Sequence, residues 1–356
     1  MHFVRGLVED WYDRNRNFIF KRTENNPELA HEEFVRRTRL IDRLGLSRLL
    51  LDNHANKQKS VIELSNAGGF NKNGLIPLKF LRYLGFDRNV VGTVTHDAWP
   101  GNQQSQRIWR FPNTDSMINY LGLPGVGSKQ VARNLEYFAD FTMPVTINLM
   151  STPGKTGQEA LDDVMGAVFD LRNRSYVNRW ELNISCPNTH CGLGTNARRE
   201  YIDNLKRMLG VVRDHILFQQ ELDVKVSPDL DEYSVDSIIE SSSDFKVRSF
   251  TVSNTTTQHD KRYIPESPVD KDGKQIGGAS GNAVYEKSLA VQKMFEERID
   301  SKYGITVCGG IDSAKKLAGR LGKKVNGVQI YTPLIYKGPR LVREFRQYLS
   351  ENAPLR

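Results

Sequence analysis

Apolar and polar positions along this chain follow two rhythms. After residue 58, short runs rich in apolar and β-branched residues recur at 61–65, 90–95, 144–149, 179–184, 222–227, 248–253, 304–308 and 326–331. Runs of this length and composition predict strands. Helical spacing fills most intervals, over 127–139, 157–172, 200–219, 233–241, 283–298, 312–321 and 338–350. Strands alternating with helices imply right-handed βα units and a parallel sheet. Eight such units close a barrel. The competing open, doubly wound sheet would carry G-x-G-x-x-G after its first strand, and that signature is absent. The expected fold class is therefore α/β, a (β/α)8 TIM barrel over 46–356 with an N-terminal helical extension over 1–45.

The extension reads as two amphipathic helices. In the first, Phe3, Val4, Leu7, Val8 and Trp11 fall at helical spacing, ringed by Arg5, Arg14, Arg16, Lys21 and Arg22. The second opens with Asn26 as a cap and Pro27 at its first position. Glu28, Glu32 and Glu33 then suit the positive end of its dipole, and Arg36, Arg37, Arg39 and Arg43 the negative end. An apolar, Trp-bearing, basic helical pair predicts an interfacial membrane element. A helical cap packed on the barrel is the plainer reading, and the two are compatible.

Composition narrows the field. The 356 residues are 38% hydrophobic with a net charge of +8. That charge fits a nucleic acid, an anionic membrane surface or a phosphate-bearing cofactor, as well as plain solubility. No nucleic-acid-binding module is present. Three cysteines, Cys186, Cys191 and Cys308, make no disulfide framework and favour a reducing compartment. Cys186, His190 and Cys191 form one cluster without a distant partner pair, so no metal site is expected. No apolar stretch reaches the roughly 18–20 residues that span a bilayer, and the N-terminus has no secretory signal pattern.

The polar residues cluster where a barrel needs them. Lys72, Thr93, Asn148, Asn183, Lys225, Asn254, Gly309 and Gly310 all sit at or just past the C-terminal end of a predicted strand. Barrel enzymes build their sites on that face. Val307-Cys308-Gly309-Gly310 ends the seventh strand and Ile311-Asp312-Ser313 opens a helix, a pattern that lets backbone N–H groups approach an anion. Tyr331-Thr332 offers further donors, and Gly277-Gly278-Ala279-Ser280-Gly281 reads as a second backbone-exposing loop. Together they suggest a phosphorylated cofactor across the barrel mouth. Lys225 lies inside an apolar strand and needs an anionic partner or an electron-rich ring. Lys72 is either a second such lysine or an exposed turn residue.

The stretch Glu181-Leu-Asn-Ile-Ser-Cys-Pro-Asn-Thr189 reads as a strand end and tight loop. Asn183 and Asn188 join Asn119 and Asn254 as amides that both donate and accept. Four of them on one pocket would grip a flat ligand with carbonyls, ring N–H groups and a carboxylate. They leave no acid among them, which points to Cys186 as the base. A thiol with a pKa of about 8.5 serves once a neighbour favours the thiolate. Taken alone, the loop reads first as structural, with a buried cysteine.

From about residue 26 to 350 these stretches resemble the dihydroorotate dehydrogenases, FMN-dependent barrel enzymes of pyrimidine synthesis. The resemblance rests on P-E-L-A-H (27–31), A-G-G-F-N-K-N-G (67–74), G-T-V-T (92–95), R-I-W-R (107–110), I-N-Y-L-G-L-P (118–124), N-I-S-C-P-N-T (183–189), V-K-V-S-P-D-L (224–230), S-N-T-T (253–256), G-G-A-S-G (277–281), C-G-G-I-D-S (308–313) and Q-I-Y-T (329–332). It implies Cys186 as the base that takes a proton from C5 of dihydroorotate. It implies substrate contacts from Lys72, Asn119, Leu121, Gly122, Leu123, Asn183, Asn188, Thr189, Asn254 and Thr255. FMN would meet Ala67, Gly68, Gly69, Lys72, Thr93, Asn148, Asn183, Lys225, Ser253, Ser280, Gly281, Gly309, Gly310, Tyr331 and Thr332. His31, Arg110 and Tyr331 match positions along the quinone path of the membrane-bound members.

The N-terminal extension, P-E-L-A-H and G-T-V-T are closest to the membrane-bound, quinone-reducing class. The resemblance therefore implies a peripheral protein on the cytoplasmic side of the inner membrane, or on the mitochondrial inner membrane in a eukaryote. Cys186 stands where that class has serine, and Leu121-Gly122-Leu123-Pro124 is nearer the soluble class. Asn71, Gly125, Ser151-Thr152-Pro153 and His190-Cys191-Gly192 also depart from the family pattern. Two further readings follow from these departures: a relative using a soluble acceptor or another dihydropyrimidine, and a membrane-associated flavin-binding protein without turnover.

Overall fold

The computed structural model describes residues 2–24, 26–47, 60–184 and 198–353. Strands β1 (Glu63–Asn66), β2 (Asn89–Val94), β5 (Val145–Leu149), β6 (Val177–Asn183), β7 (Glu221–Val226), β8 (Val247–Val252), β10 (Gly304–Cys308) and β11 (Val325–Ile330) form one sheet, numbered in chain order. Neighbours run β1-β11-β10-β8-β7-β6-β5-β2, and every pairing is parallel. A parallel bridge between Ser65 and Arg88 brings the two end strands together. This is the expected barrel, with each strand within a few residues of its predicted place.

Alternation along the strands divides two buried faces. Trp180, Leu182, Val224 and Val226 belong to the main apolar core, which also takes in Val164, Leu209, Phe295 and Phe345 from the surrounding helices. The alternate residues line a polar barrel interior. Near its N-terminal end, Arg179 bonds Glu63 at 2.6 Å and Glu221 at 2.7 Å, while Arg248 bonds Asp223 at 2.6 Å. Burial alone would raise the Glu63 carboxyl; Arg88 and Arg179 overcome it and hold the group far below the usual carboxylate range. The interior at that end is thus filled by paired charges, which leaves the C-terminal end for chemistry.

Three further strands were not expected. β3 (Ile108–Phe111), β4 (Ser116–Asn119) and β9 (Gly278–Gly281) form an antiparallel sheet in the order β3-β4-β9. The glycine-rich stretch read as a loop is therefore partly a strand, paired to β4 with Gly278 opposite Asn119. Four-residue strands broken by Pro112 carry too little periodicity to be seen locally. Short helices at Leu78–Leu84 and Thr332–Lys337 were also missed, and the helix expected over 312–321 is only Ala314–Ala318.

The N-terminal helices α1 (His2–Arg22) and α2 (Pro27–Arg43) form as expected. Pro27 occupies the first turn of α2, but the Asn26 side chain makes no capping bond. The pair packs on the barrel. Phe34 stacks against Phe70 and Phe80, with ring centroids 5.5 and 6.2 Å apart. Tyr12 and Arg16 donate to the carbonyls of Ile335 and Tyr336. Trp11, Phe18, Leu29, Leu40 and Leu44 remain exposed. Among the described residues, no helix is long and apolar enough to cross a membrane.

Candidate active site

The C-terminal ends of the barrel strands, together with β4 and β9, enclose one cavity. Of the residues expected to bind ligands, it is lined by Ala67, Gly68 and Gly69 after β1, Lys72, Thr93, and Asn119, Leu121 and Leu123 at and after β4. Asn183, Lys225, Ser253, Asn254 and Thr255 line it from the ends of β6, β7 and β8. Ser280 and Gly281 of β9, Gly309 and Gly310 after β10, and Tyr331 and Thr332 after β11 complete the set. Residues nearly 270 positions apart in sequence meet here because parallel strands deliver all their C-terminal ends to one face.

Three of the four asparagines are held by each other and by the strand ends. Asn254 donates to Asn183 Oδ1 at 3.3 Å, and Asn183 donates to Thr93 Oγ1 at 3.2 Å. Asn119 donates to the Gly278 carbonyl at 3.2 Å across the small sheet. Cys186, Asn188 and Thr189 lie outside the described residues. Cys308 also faces the cavity, but burial pushes its thiol up, against the pull of Lys225.

Gly309 and Gly310, expected to form a cradle, line the cavity. Gly310 has φ +67°, and an added Cβ would lie 2.6 Å from the Gly281 carbonyl oxygen. Only glycine lets the two loops approach so closely. Thr332 Oγ1 donates to Ser280 Oγ at 2.9 Å, tying β9 to the end of β11. Behind the cradle sits Arg320, fully buried, which donates to the carbonyls of Gly309 at 3.2 Å and Val252 at 3.1 Å.

Four expected residues do not line the cavity. Gly122 turns the backbone at φ +70° against Asn102, whose Oδ1 an added Cβ would meet at 2.4 Å. It shapes the loop and makes no wall. Asn148 lies just beneath Gly68, fully buried. Arg110 turns one nitrogen, Nη2, to the end of α1, donating to the carbonyls of Phe20 and Thr23 at 2.8 Å each. His31, on α2, faces the cavity wall, 6.3 Å from Tyr331 and 6.1 Å from Phe70 by ring centroids. Burial, then the nearby Lys72, pushes His31 down to about 4. Tyr331 therefore faces the cavity on one side and the helical pair on the other.

Beyond the apolar wall residues, two polar residues were missed by sequence reasoning. Gln329 lines the cavity and accepts from Lys225 Nζ at 3.3 Å. Glu181 is wholly buried in the barrel interior and accepts from Asn148, Thr251 and Gln329 at 2.6, 2.6 and 2.7 Å. The available signal was an acid between Trp180 and Leu182 in a strand whose two faces are both buried.

A sequence model of the family described as dihydroorotate dehydrogenase matches residues 57–352. A dihydroorotate dehydrogenase (quinone) from Neisseria meningitidis serogroup C is 31% identical over 341 residues, which is 92% of this chain and 95% of the relative. A protein of the same name from Psychrobacter cryohalolentis is 30% identical over 348 residues, 94% and 96% of the two chains. Among solved structures, DHODH from Eimeria tenella in complex with ferulenol matches with a TM-score of 0.74 at 21% identity, covering 91% of this chain and 90% of that one. The fold agrees, and the match spans nearly the whole of both chains. From the barrel, the lining of its mouth and this sequence similarity, the chain belongs to the dihydroorotate dehydrogenase family.

Proposed function

We propose that this chain oxidises dihydroorotate to orotate, using FMN as bound cofactor and a quinone as electron acceptor. The observation that carries the reading is the convergence of Asn119, Asn183 and Asn254 with Lys72 and Lys225 on one cavity that also contains the Gly309-Gly310 cradle. Amides supply mixed donor and acceptor edges for a pyrimidine, lysines supply charge for a carboxylate and an electron-rich ring, and glycine N–H groups suit a phosphate.

Features of this chain fit FMN. The cradle is open only because residue 310 has no Cβ. Asn148 Oδ1 is buried with no partner among the described residues, beside Gly68 in the cavity wall. An acceptor left in that position suits a ring N–H. Lys225 is 5% exposed, a cation where a ring gains negative charge. When bound, FMN supplies the hydride acceptor and the route for electrons to the quinone.

The chain's own residues supply orientation and the proton step. Asn119, Asn183 and Asn254, with Asn188 from the stretch after β6, hold the pyrimidine plane, and Thr189 and Thr255 add contacts. This positioning is a large part of the rate enhancement. Lys72 Nζ offers its charge to the substrate carboxylate. Cys186 Sγ takes the proton from C5; a base whose pKa lies near the working pH is the effective kind.

The extension over 1–45 serves the acceptor side. Tyr331 of the cavity wall meets His31 of α2, which marks the way out toward the helical pair, and Arg110 braces α1 against β3. Exposed Trp11, Phe18, Leu29, Leu40 and Leu44 fit a peripheral seat on the membrane that holds the quinone. Anaerobic addition of dihydroorotate to the purified protein tests the reading. Rapid bleaching of the flavin band is the expected result; a yellow protein that does not bleach removes dihydroorotate as substrate.

A further inference from the structure

Glu181 is a carboxylate in the barrel interior with no exposure to solvent. Its two oxygens receive three donors from three other strands: Asn148 Nδ2 of β5 at 2.6 Å, Thr251 Oγ1 of β8 at 2.6 Å and Gln329 Nε2 of β11 at 2.7 Å. A carboxylate accepts and does not donate, so each amide must turn its NH2 toward Glu181 and its carbonyl away. The consequences lie in the cavity. Gln329, a lining residue, is left presenting Oε1, which accepts from Lys225 Nζ at 3.3 Å. Asn148 is left presenting Oδ1 beside Gly68, buried and with no partner among the described residues.

We propose that Glu181 is a positioning residue for the cofactor site, setting which edge of Asn148 and Gln329 faces the cavity and, through Gln329, where Lys225 Nζ lies. The inference rests on the flavin reading of the site and deepens it. An acceptor-only hub selects a ring that brings an N–H donor to Asn148. An amide or alkyl side chain at 181 leaves that choice open: a glutamine can accept at one oxygen only, so at least one of the three donors is lost or reversed. Local strand pairing does not require an acid here, because the β6–β7 register sets Asp223 opposite Glu181 in the ladder, with no cation opposite it. The three side-chain donors are what satisfy it.

The test uses the holoenzyme. Glu181→Gln is expected to release FMN on dilution with a dissociation constant at least about tenfold higher than the parent. The midpoint potential of the bound flavin should rise, because an acidic group behind the residues that would hold it has been removed. Glu181→Asp, which keeps the carboxylate but shortens its reach, should fall between the two. The losses from Glu181→Gln and Asn148→Ala should be less than additive, since both act through one contact. A lower melting temperature with FMN affinity and potential unchanged in Glu181→Gln, or in Glu181→Asp should the glutamine variant not fold, overturns the proposal by making Glu181 merely structural. A parent protein that binds no FMN overturns the functional reading itself.

Discussion

Arg107 holds Glu28 through two hydrogen bonds, Nε to Oε1 at 2.9 Å and Nη2 to Oε2 at 2.7 Å. The third arm of the same guanidinium donates to the carbonyls of Pro100 at 2.9 Å and Asn102 at 3.3 Å. Asn102 in turn donates its backbone N–H to Leu121, a cavity-lining residue, at 2.9 Å. One side chain thus joins α2 to the loop after β4 that lines the cavity. Arg107→Leu is expected to lower the unfolding free energy by about 1–3 kcal/mol, the range for hydrogen bonds to charged groups. It should also raise KM for dihydroorotate as the Leu121 wall loosens. Denaturant titration and steady-state kinetics read the two effects; if neither moves, Arg107 is not the joint.

Lys72 gives the site a pH dependence. Burial lowers its pKa from 10.5 to about 8, with Glu28 pulling the other way. Between those values the unfolded chain keeps a proton that the folded chain has lost, so the ligand-free protein gains stability as pH rises through that window. Substrate binding has the opposite sign, because a carboxylate beside Lys72 favours the ammonium. KM for dihydroorotate should therefore be lowest below about pH 8 and rise above it, by at most about tenfold per pH unit. Lys72→Gln should raise KM and flatten that limb. A limb that persists unchanged in the variant assigns the titration to another group.

Cys186→Ala separates holding from chemistry. The variant is expected to keep its FMN and its affinity for orotate, while the rate of flavin reduction by dihydroorotate falls by about 10²–10⁴, the usual loss for a general base. Stopped-flow spectra follow both properties in one sample. Full-speed bleaching would transfer the base role elsewhere.

The exposed apolar residues of α1 and α2 make the membrane reading testable without deleting the helices, which also pack on the barrel. Phe18 is 62% exposed and Leu44 60% exposed. Replacing both with Glu adds charge outside the packed face, so folding and reduction of a soluble dye should be unaffected. Sedimentation with anionic liposomes and reduction of a long-chain quinone should both fall. Equal liposome binding by parent and variant would place the membrane contact on other residues.

Sequence by itself determined the barrel and much of the polar lining of its mouth. Each strand of the barrel has both faces buried, so it reads as a compact apolar run, and the βα rhythm then orders the strands without reference to anything distant. The same rhythm puts Lys72, Asn183, Lys225, Asn254 and Gly309 on one rim, since a parallel sheet sends every C-terminal end the same way. Tertiary structure decided the rest. Gly277-Gly278-Ala279-Ser280-Gly281 looked like a loop because glycines lack strand propensity; its pairing with Ser116–Asn119 comes from a segment some 160 positions away. Gly122 matched a binding motif, yet the fold uses its positive φ to turn against Asn102. Arg110 matched a position on the quinone path, and the packing of α1 engages it with Phe20 and Thr23. Glu181 shows the limit most clearly. Its partners Asn148, Thr251 and Gln329 come from three other strands, and only barrel closure and register bring them to one carboxylate. Periodicity is a property of near neighbours along the chain, whereas the satisfaction of a buried charge depends on which strands meet across the interior.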